Sequence, residues 1–318
     1  MKKIARVRNV LARVVLKCFG IPVRIVEKRF FPASRKIIAV APTFIIGAPR
    51  TGSTILYQAL TNAYQFAYID NTACTWHRNL RFGLWLSQKK WGNTPHNNFK
   101  ADHGNTSKFG GHAPSECGQF WYRWLPRDRH FIDHDEVTDR MVQEIREEVL
   151  GASGYLQRPL LFKNLNAGQR LRLIKKAFPD AKIIFVRRDP RFVTRSILKA
   201  RKKVGTPTNQ WWSIMPSNVN DLLQLPEPEM CAAQVYYLER QIEEDLTLFP
   251  EDNIRAVHYQ ELGEELVRLL AEWCGVPERP GEQMPEFMHD DPTSLPPQER
   301  EELDKLVSKY PFSKELFV

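Results

Sequence analysis

Apolar residues along this chain follow two rhythms. Short, mostly apolar runs at 43–47, 66–70, 160–163, 182–187 and 253–258 have the length of buried strands. Helical stretches at 53–62, 168–178, 231–249 and 264–274 separate several of these runs. Strands alternating with helices predict an α/β fold, a single domain with a central parallel sheet flanked by helices. No internal repeat is visible. Two stretches break the rhythm. Residues 71–131 are rich in Trp, His and Gly and read as an irregular insertion that builds a site; 276–299 are rich in Pro and acid and read as a surface loop before a short last helix. At the start, Ile4, Val7, Leu11, Val14, Val15 and Cys18 keep helical spacing over 2–19. Lys3, Arg6, Arg13 and Lys17 fall largely elsewhere on the wheel.

Charge divides the chain in two. The net charge of +9 is confined to residues 1–36, which hold eleven Lys and Arg against one acid, Glu27; the rest carries 35 bases against 36 acids. A basic amphipathic arm at 1–36 therefore precedes a near-neutral domain at 37–318. Such an arm either lies on an anionic membrane surface or packs on the body with its charged face in water. The body lacks the basic field that a nucleic-acid partner requires. Five cysteines at 18, 74, 117, 231 and 274 form no CxxC pair. Their odd count and wide spacing argue against a disulfide framework or a zinc ribbon and favour a reducing compartment. The longest apolar candidate for a span, 10–26, is cut by Arg13, Lys17 and Arg24. The expectation is a cytoplasmic protein, peripheral on the membrane if the arm binds lipid.

Two segments carry anion chemistry. Gly47-Ala-Pro-Arg-Thr-Gly-Ser-Thr54 follows a strand and opens a helix. Backbone N–H groups and a helix N-terminus converge in such a turn and bind an anion. The spacing approaches that of a nucleotide-binding Walker A loop. However, Ser53 stands where that loop needs Lys, and a base, Arg50, lies inside the loop instead. That argues against nucleoside triphosphate chemistry and suits a 5′-phosphosulfate, whose terminal group carries less charge and needs no metal. The second segment, Arg187-Arg-Asp-Pro-Arg-Phe-Val-Thr-Arg-Ser196, also follows a strand. Asp189 suits a helix N-cap and Pro190 its first turn. Ser196 then faces the same side as Arg188, two turns on, so the pair can share one phosphate.

With both segments in view, the chain resembles the sulfotransferases that use 3′-phosphoadenosine 5′-phosphosulfate (PAPS). The likeness runs over about 41–277, with 71–131 diverged; Val257-His-Tyr-Gln-Glu-Leu262 and Cys274-Gly-Val-Pro277 add to it. It implies a P-loop-like sulfotransferase fold and a donor site for PAPS and for its spent form, 3′-phosphoadenosine 5′-phosphate (PAP). Arg50, Thr51, Gly52, Ser53 and Thr54 would bind the 5′ end, Arg188 and Ser196 the 3′-phosphate, and Tyr259 the adenine. Three positions depart from the family pattern. Ile55 replaces a stacking Trp, Lys163-Asn-Leu165 replaces the stretch that carries the catalytic histidine, and no C-terminal Arg-Lys-Gly motif is present.

Lys163 can still stabilise the transferring group, but another general base is required. Gly111-His-Ala-Pro-Ser-Glu-Cys117 offers Glu116. In the family branch without the histidine, a glutamate in a Pro-x-Glu setting is the expected base, and His112 is the next candidate. His77, His96, His103, His112 and His130 crowd the insertion, but no metal-ligand spacing links them, so no metal is expected. Trp76, Trp85, Trp91, Trp121 and Trp124 share the same region and suit sugar rings, lipid tails or a small core of their own. The reading is sulfuryl transfer from PAPS to a hydroxyl acceptor, with a glycan or glycolipid as first choice. The alternatives are a P-loop kinase using ATP and a non-catalytic membrane-surface binding module.

Overall fold

The computed structural model describes residues 40–317 apart from 103 and 282. The helix expected at 2–19 and the whole basic arm at 1–36 lie outside the described residues. Strands β1 (Thr43–Ile46), β2 (Leu161–Lys163), β3 (Lys182–Arg187) and β4 (Ile254–His258) form one parallel sheet in the order β2-β1-β3-β4. Its register pairs Ile45 with Lys163 and Ile184, and Arg187 with His258. The main helices are α1 (Ser53–Ala63), α2 (Leu80–Trp91), α3 (Asp139–Leu156), α4 (Leu171–Ala177), α5 (Pro190–Val204), α6 (Glu227–Leu246), α7 (Glu264–Cys274) and α8 (Pro297–Val307).

Alternation along the strands accounts for the layers. Phe44, Ile46, Ile183 and Phe185 face a core completed by α3, α4 and the rings of Phe120, Trp121 and Phe162. Ile45, Ile184 and Val186 face the opposite core, with Leu56 and Leu60 of α1 and Val267 and Leu270 of α7. Both faces of β1, β2 and the middle of β3 are covered, so these strands are largely apolar, while the edge strand β4 exposes Arg255 and Ala256. Each buried side chain of this size contributes about 1.5–3 kcal/mol. Because all four strands run in one direction, their C-terminal ends share one edge. That edge is where ligands bind in open parallel sheets.

Three local readings are corrected. Residues 66–70 do not form a strand: Ala67 makes a single parallel bridge to Leu160. The helix read at 168–178 splits into a 3-10 turn, Leu165–Gln169, and α4. The insertion is less irregular than its composition implies, since α2 buries Leu80, Gly83 and Leu84 in the space of two turns.

Candidate active site

The loop after β1 is fixed by contacts that only small residues allow. Gly47 has φ +151°, and a Cβ there would stand 2.4 Å from the Val186 carbonyl oxygen. Gly52 has φ +86°, and its Cβ would meet the Tyr259 ring at 2.6 Å. Arg50 adopts a left-handed φ of 72° without being glycine, a strained conformation of the kind that gathers at ligand sites. Thr51 is fully buried and its hydroxyl donates to the Ala48 carbonyl at 2.9 Å, so its side chain shapes the loop from within. Arg50, Gly52, Ser53 and Thr54 line the cleft above, at the N-terminus of α1.

Lys163 closes β2 and enters this cleft although its side chain is only 2% exposed. It pairs with the Glu116 carboxylate. Gly104, with φ +89°, marks where these groups converge. A Cβ there would stand 3.0 Å from Glu116 Oε1, 3.3 Å from Lys163 Nζ and 3.4 Å from Thr54 Oγ1. Glu116 is held by its neighbours. Asn164 Nδ2 donates to its carbonyl at 3.3 Å, Ser115 N–H donates to the Ile69 carbonyl at 2.8 Å, and Cys117 forms a disulfide with Cys74 across 5.5 Å between Cα atoms. That disulfide corrects the expectation of unpaired thiols. Among the described cysteines, Cys231 and Cys274 are free.

The second anion segment brings Arg188 and Ser196 together through Arg50. Asp189 caps α5 by accepting from Arg191 N–H, and Pro190 takes the first turn. Arg188 and Ser196 do not join each other. Ser196 Oγ accepts from Arg50 Nε at 3.0 Å, while Arg188 Nη1 donates to the Arg50 carbonyl at 2.8 Å. The Arg188 guanidinium lies 4.0 Å from the Tyr259 ring centre and forks onto Asp290 through Nε, at 2.7 Å, and Nη2. Arg50, Arg188, Ser196 and Tyr259 are therefore one group. Burial, then the neighbouring Arg188 charge, hold the Arg50 guanidinium below its usual range, and burial pushes the Tyr259 phenol up. Among the described residues Arg50 has no carboxylate partner, and its Nε donates to the Ser196 hydroxyl.

Two clefts meet at Glu116. One, of about 630 Å³, runs from the loop over Lys163 to Arg188 and Tyr259. The other, of about 620 Å³, is lined by Asn71, Thr75, His77, Asn105, Ser107 and Gln119 among others; Gly104 and Glu116 line both. Ile55 and Leu165 also line the first cleft. Sequence reasoning missed Gly104, Asp290 and the segment carrying Trp212 and Ile214, which closes the first cleft. Only the glycine at 104, beside the histidine-rich stretch, carries a signal in the sequence.

His112 does not reach either cleft. It stacks on Trp91, with ring centres 4.9 Å apart, beside a separate cavity of about 40 Å³, and burial lowers its pKa to about 4. His96 sits near it, while His130 lies across the first cleft, where its Nδ1 accepts from Met215 N–H at 2.8 Å. His103 lies outside the described residues. The five tryptophans of the insertion line neither cleft. Trp121 is buried in the core, Trp124 Nε1 donates to Glu144, and Trp76 packs on Phe82. Among the described residues no three His, Cys, Asp or Glu side chains are grouped to hold a metal ion.

A parallel sheet, a strand–loop–helix turn without the Walker lysine, and Arg188, Ser196 and Tyr259 gathered around Arg50 make up the first cleft. The chain belongs to the sulfotransferase family, whose model matches residues 42–280. No curated protein matches it. Among solved structures it is similar to sulfotransferase STF9 from Mycobacterium avium, at 14% identity and a TM-score of 0.47, over 92% of this chain and 73% of that one. It is similar to sulfotransferase STF1 from Mycobacterium tuberculosis H37Rv at 11% identity and a TM-score of 0.48, over 90% and 81%. A sulfotransferase from Alicyclobacillus acidocaldarius matches at 17% identity and a TM-score of 0.44, over 84% and 92%.

Proposed function

We propose that this sulfotransferase takes its sulfuryl group from PAPS and passes it to a hydroxyl on a glycan or glycolipid. The observation that carries the reading is the position of the Lys163–Glu116 pair where two clefts meet. A donor lying over the loop and an acceptor entering from the other side would face each other there.

The residues fit such a donor. The positive φ at Gly52 lets the backbone turn its N–H groups inward at the start of α1, and Arg50 adds a cation without a carboxylate partner among the described residues. Arg188, Ser196 and Tyr259 form the far end. Bound there, PAPS supplies the sulfuryl group and leaves as PAP. Arg50 and Lys163 offset charge that grows on the donor side as its bond breaks, the preorganised stabilisation that is usually the largest contribution to catalysis. Glu116 takes the acceptor's hydroxyl proton on the other side, and its pairing with Lys163 fixes the direction of the carboxylate. The second cleft offers neutral hydrogen-bonding side chains, Asn105, Ser107 and Gln119, which suit a polyhydroxyl acceptor. The tryptophans of the insertion lend that choice no support.

Calorimetry with PAP, with ATP–Mg²⁺ as control, tests the donor. PAP should bind and raise the melting temperature, with about 2.7 kcal/mol of stabilisation at a hundredfold excess over Kd. A shift with ATP–Mg²⁺ and none with PAP would turn the reading into a kinase.

A further inference from the structure

The seat expected for the donor's 3′-phosphate already holds an anion of the protein's own. Arg188 directs Nε and Nη2 at the Asp290 carboxylate, in the bidentate geometry that it would use for a phosphate. The pair is shielded from water, with side-chain exposures of 17% and 5%. Asp290 is also held by its backbone: its N–H donates to Gln260 Oε1 at 2.8 Å, and its carbonyl accepts from Gln260 Nε2 at 2.7 Å. His289 Nε2 meets the Leu262 carbonyl at 2.8 Å, and Glu286 and Met288 line the donor cleft. The strap at 286–290 is thus fastened to the turn after β4, next to Tyr259, by contacts that do not involve the Asp290 carboxylate.

We propose that Asp290 is a specificity-determining residue of the donor site, a built-in competitor that the 3′-phosphate must displace from Arg188. The inference rests on the PAPS reading above. One charge-assisted fork is exchanged for another, so the 3′-phosphate contributes less net affinity than it would at an unpaired guanidinium. A nucleotide without that phosphate has no need to displace the carboxylate and is indifferent to it. The spent donor keeps its 3′-phosphate, so the competition shortens its stay, and product release is a common limit on turnover.

The test is calorimetric titration of the full chain, its Asp290→Asn variant, Arg188→Ala and the double variant, with PAP and with adenosine 5′-phosphate. Asn keeps the size of the side chain and leaves the Gln260 clamp in place, and Asp290→Ser checks that the effect follows the lost charge. Asp290→Asn should bind PAP about tenfold tighter or more, the lower end of what a charge-assisted hydrogen bond is worth. Adenosine 5′-phosphate should stay within about threefold in both proteins, well short of that gain. In the Arg188→Ala background the Asp290 substitution should lose its effect on PAP. If the parent binds PAP and Asp290→Asn binds it equally or more weakly, Asp290 positions Arg188 and the proposal is overturned while the donor reading stands. An equal gain for both nucleotides overturns it as well, as a general loosening of the strap. Absence of PAP binding in both parent and variant removes the donor reading and the competitor with it.

Discussion

Glu116 shows how far single residues were readable. Its Pro-x-Glu setting and the leucine at 165 make it a candidate base only through the family resemblance, and nothing in the sequence says that Lys163 pairs with it or that Gly104 leaves room for both. Such contacts join residues far apart in the chain, 47 apart for this pair, so no local pattern carries them. The same holds at Arg188, where helical spacing puts Ser196 on the right face but cannot foresee Asp290, 102 residues on. Glu116→Gln should fold, bind PAP like the parent and lose about 10²–10⁴-fold in turnover, the usual cost of a missing general base. The amide keeps the shape of the side chain and a contact with Lys163 but cannot take a proton. Turnover within about threefold of the parent would make Glu116 structural, because general bases rarely contribute so little.

At the scale of elements, the strands and helices around the sheet were legible because period and burial agree there. β3 and α7 match their sequence ranges in full, and the other strands differ by one residue at an end. Residues 66–70 misled because an apolar run as short as 66–69 can equally cover the edge of a sheet with one bridge, here at Ala67. The insertion misled by composition. Its tryptophans form packing, and its order comes from a disulfide and from segment 111–116, which lies along 69–72. Asp70 ties these pieces together, accepting from Ala73 N–H at 2.7 Å and Ser87 Oγ at 2.6 Å. Burial raises its pKa from 3.8 to about 6 against those hydrogen bonds. The fold therefore binds the Asp70 proton more tightly than the unfolded chain does. The resulting stability is full below the unfolded value and lost as pH rises through the folded one. Across about pH 4 to 7, parent stability should fall relative to Asp70→Asn, measured by denaturant unfolding; a constant gap between the two would show that Asp70 titrates as an exposed group does. The disulfide closes a loop of 43 residues, so replacing Cys74 and Cys117 together with Ser should lower stability by about 2–4 kcal/mol. Unchanged unfolding, with or without reductant, would mean that the two thiols are not joined in solution.

At the scale of the whole molecule, the charge is segregated. The eleven bases of residues 1–36 stand against a body with one more acid than base, and among the described residues no helix is long and apolar enough to cross a membrane. At the site itself Lys163 is paired with Glu116 and Arg188 with Asp290, which leaves Arg50 as a cation without a carboxylate partner among the described residues. A long-range attraction to an anionic surface therefore has to come from the arm. Each Lys or Arg near such a surface contributes about 1 kcal/mol, and the attraction decays over a Debye length, about 10 Å at 0.1 M salt. The apolar positions Ile4, Val7, Leu11 and Val14 add burial if the arm forms the helix that its spacing predicts. The full chain should then sediment with vesicles containing phosphatidylserine, release in high salt, and ignore neutral vesicles. A chain lacking residues 1–36 should lose this binding while keeping its response to PAP, because the donor cleft draws its residues from 49–288. Vesicle binding that survives the deletion would move the contact onto the body, whose near-zero net charge gives no reason to expect it.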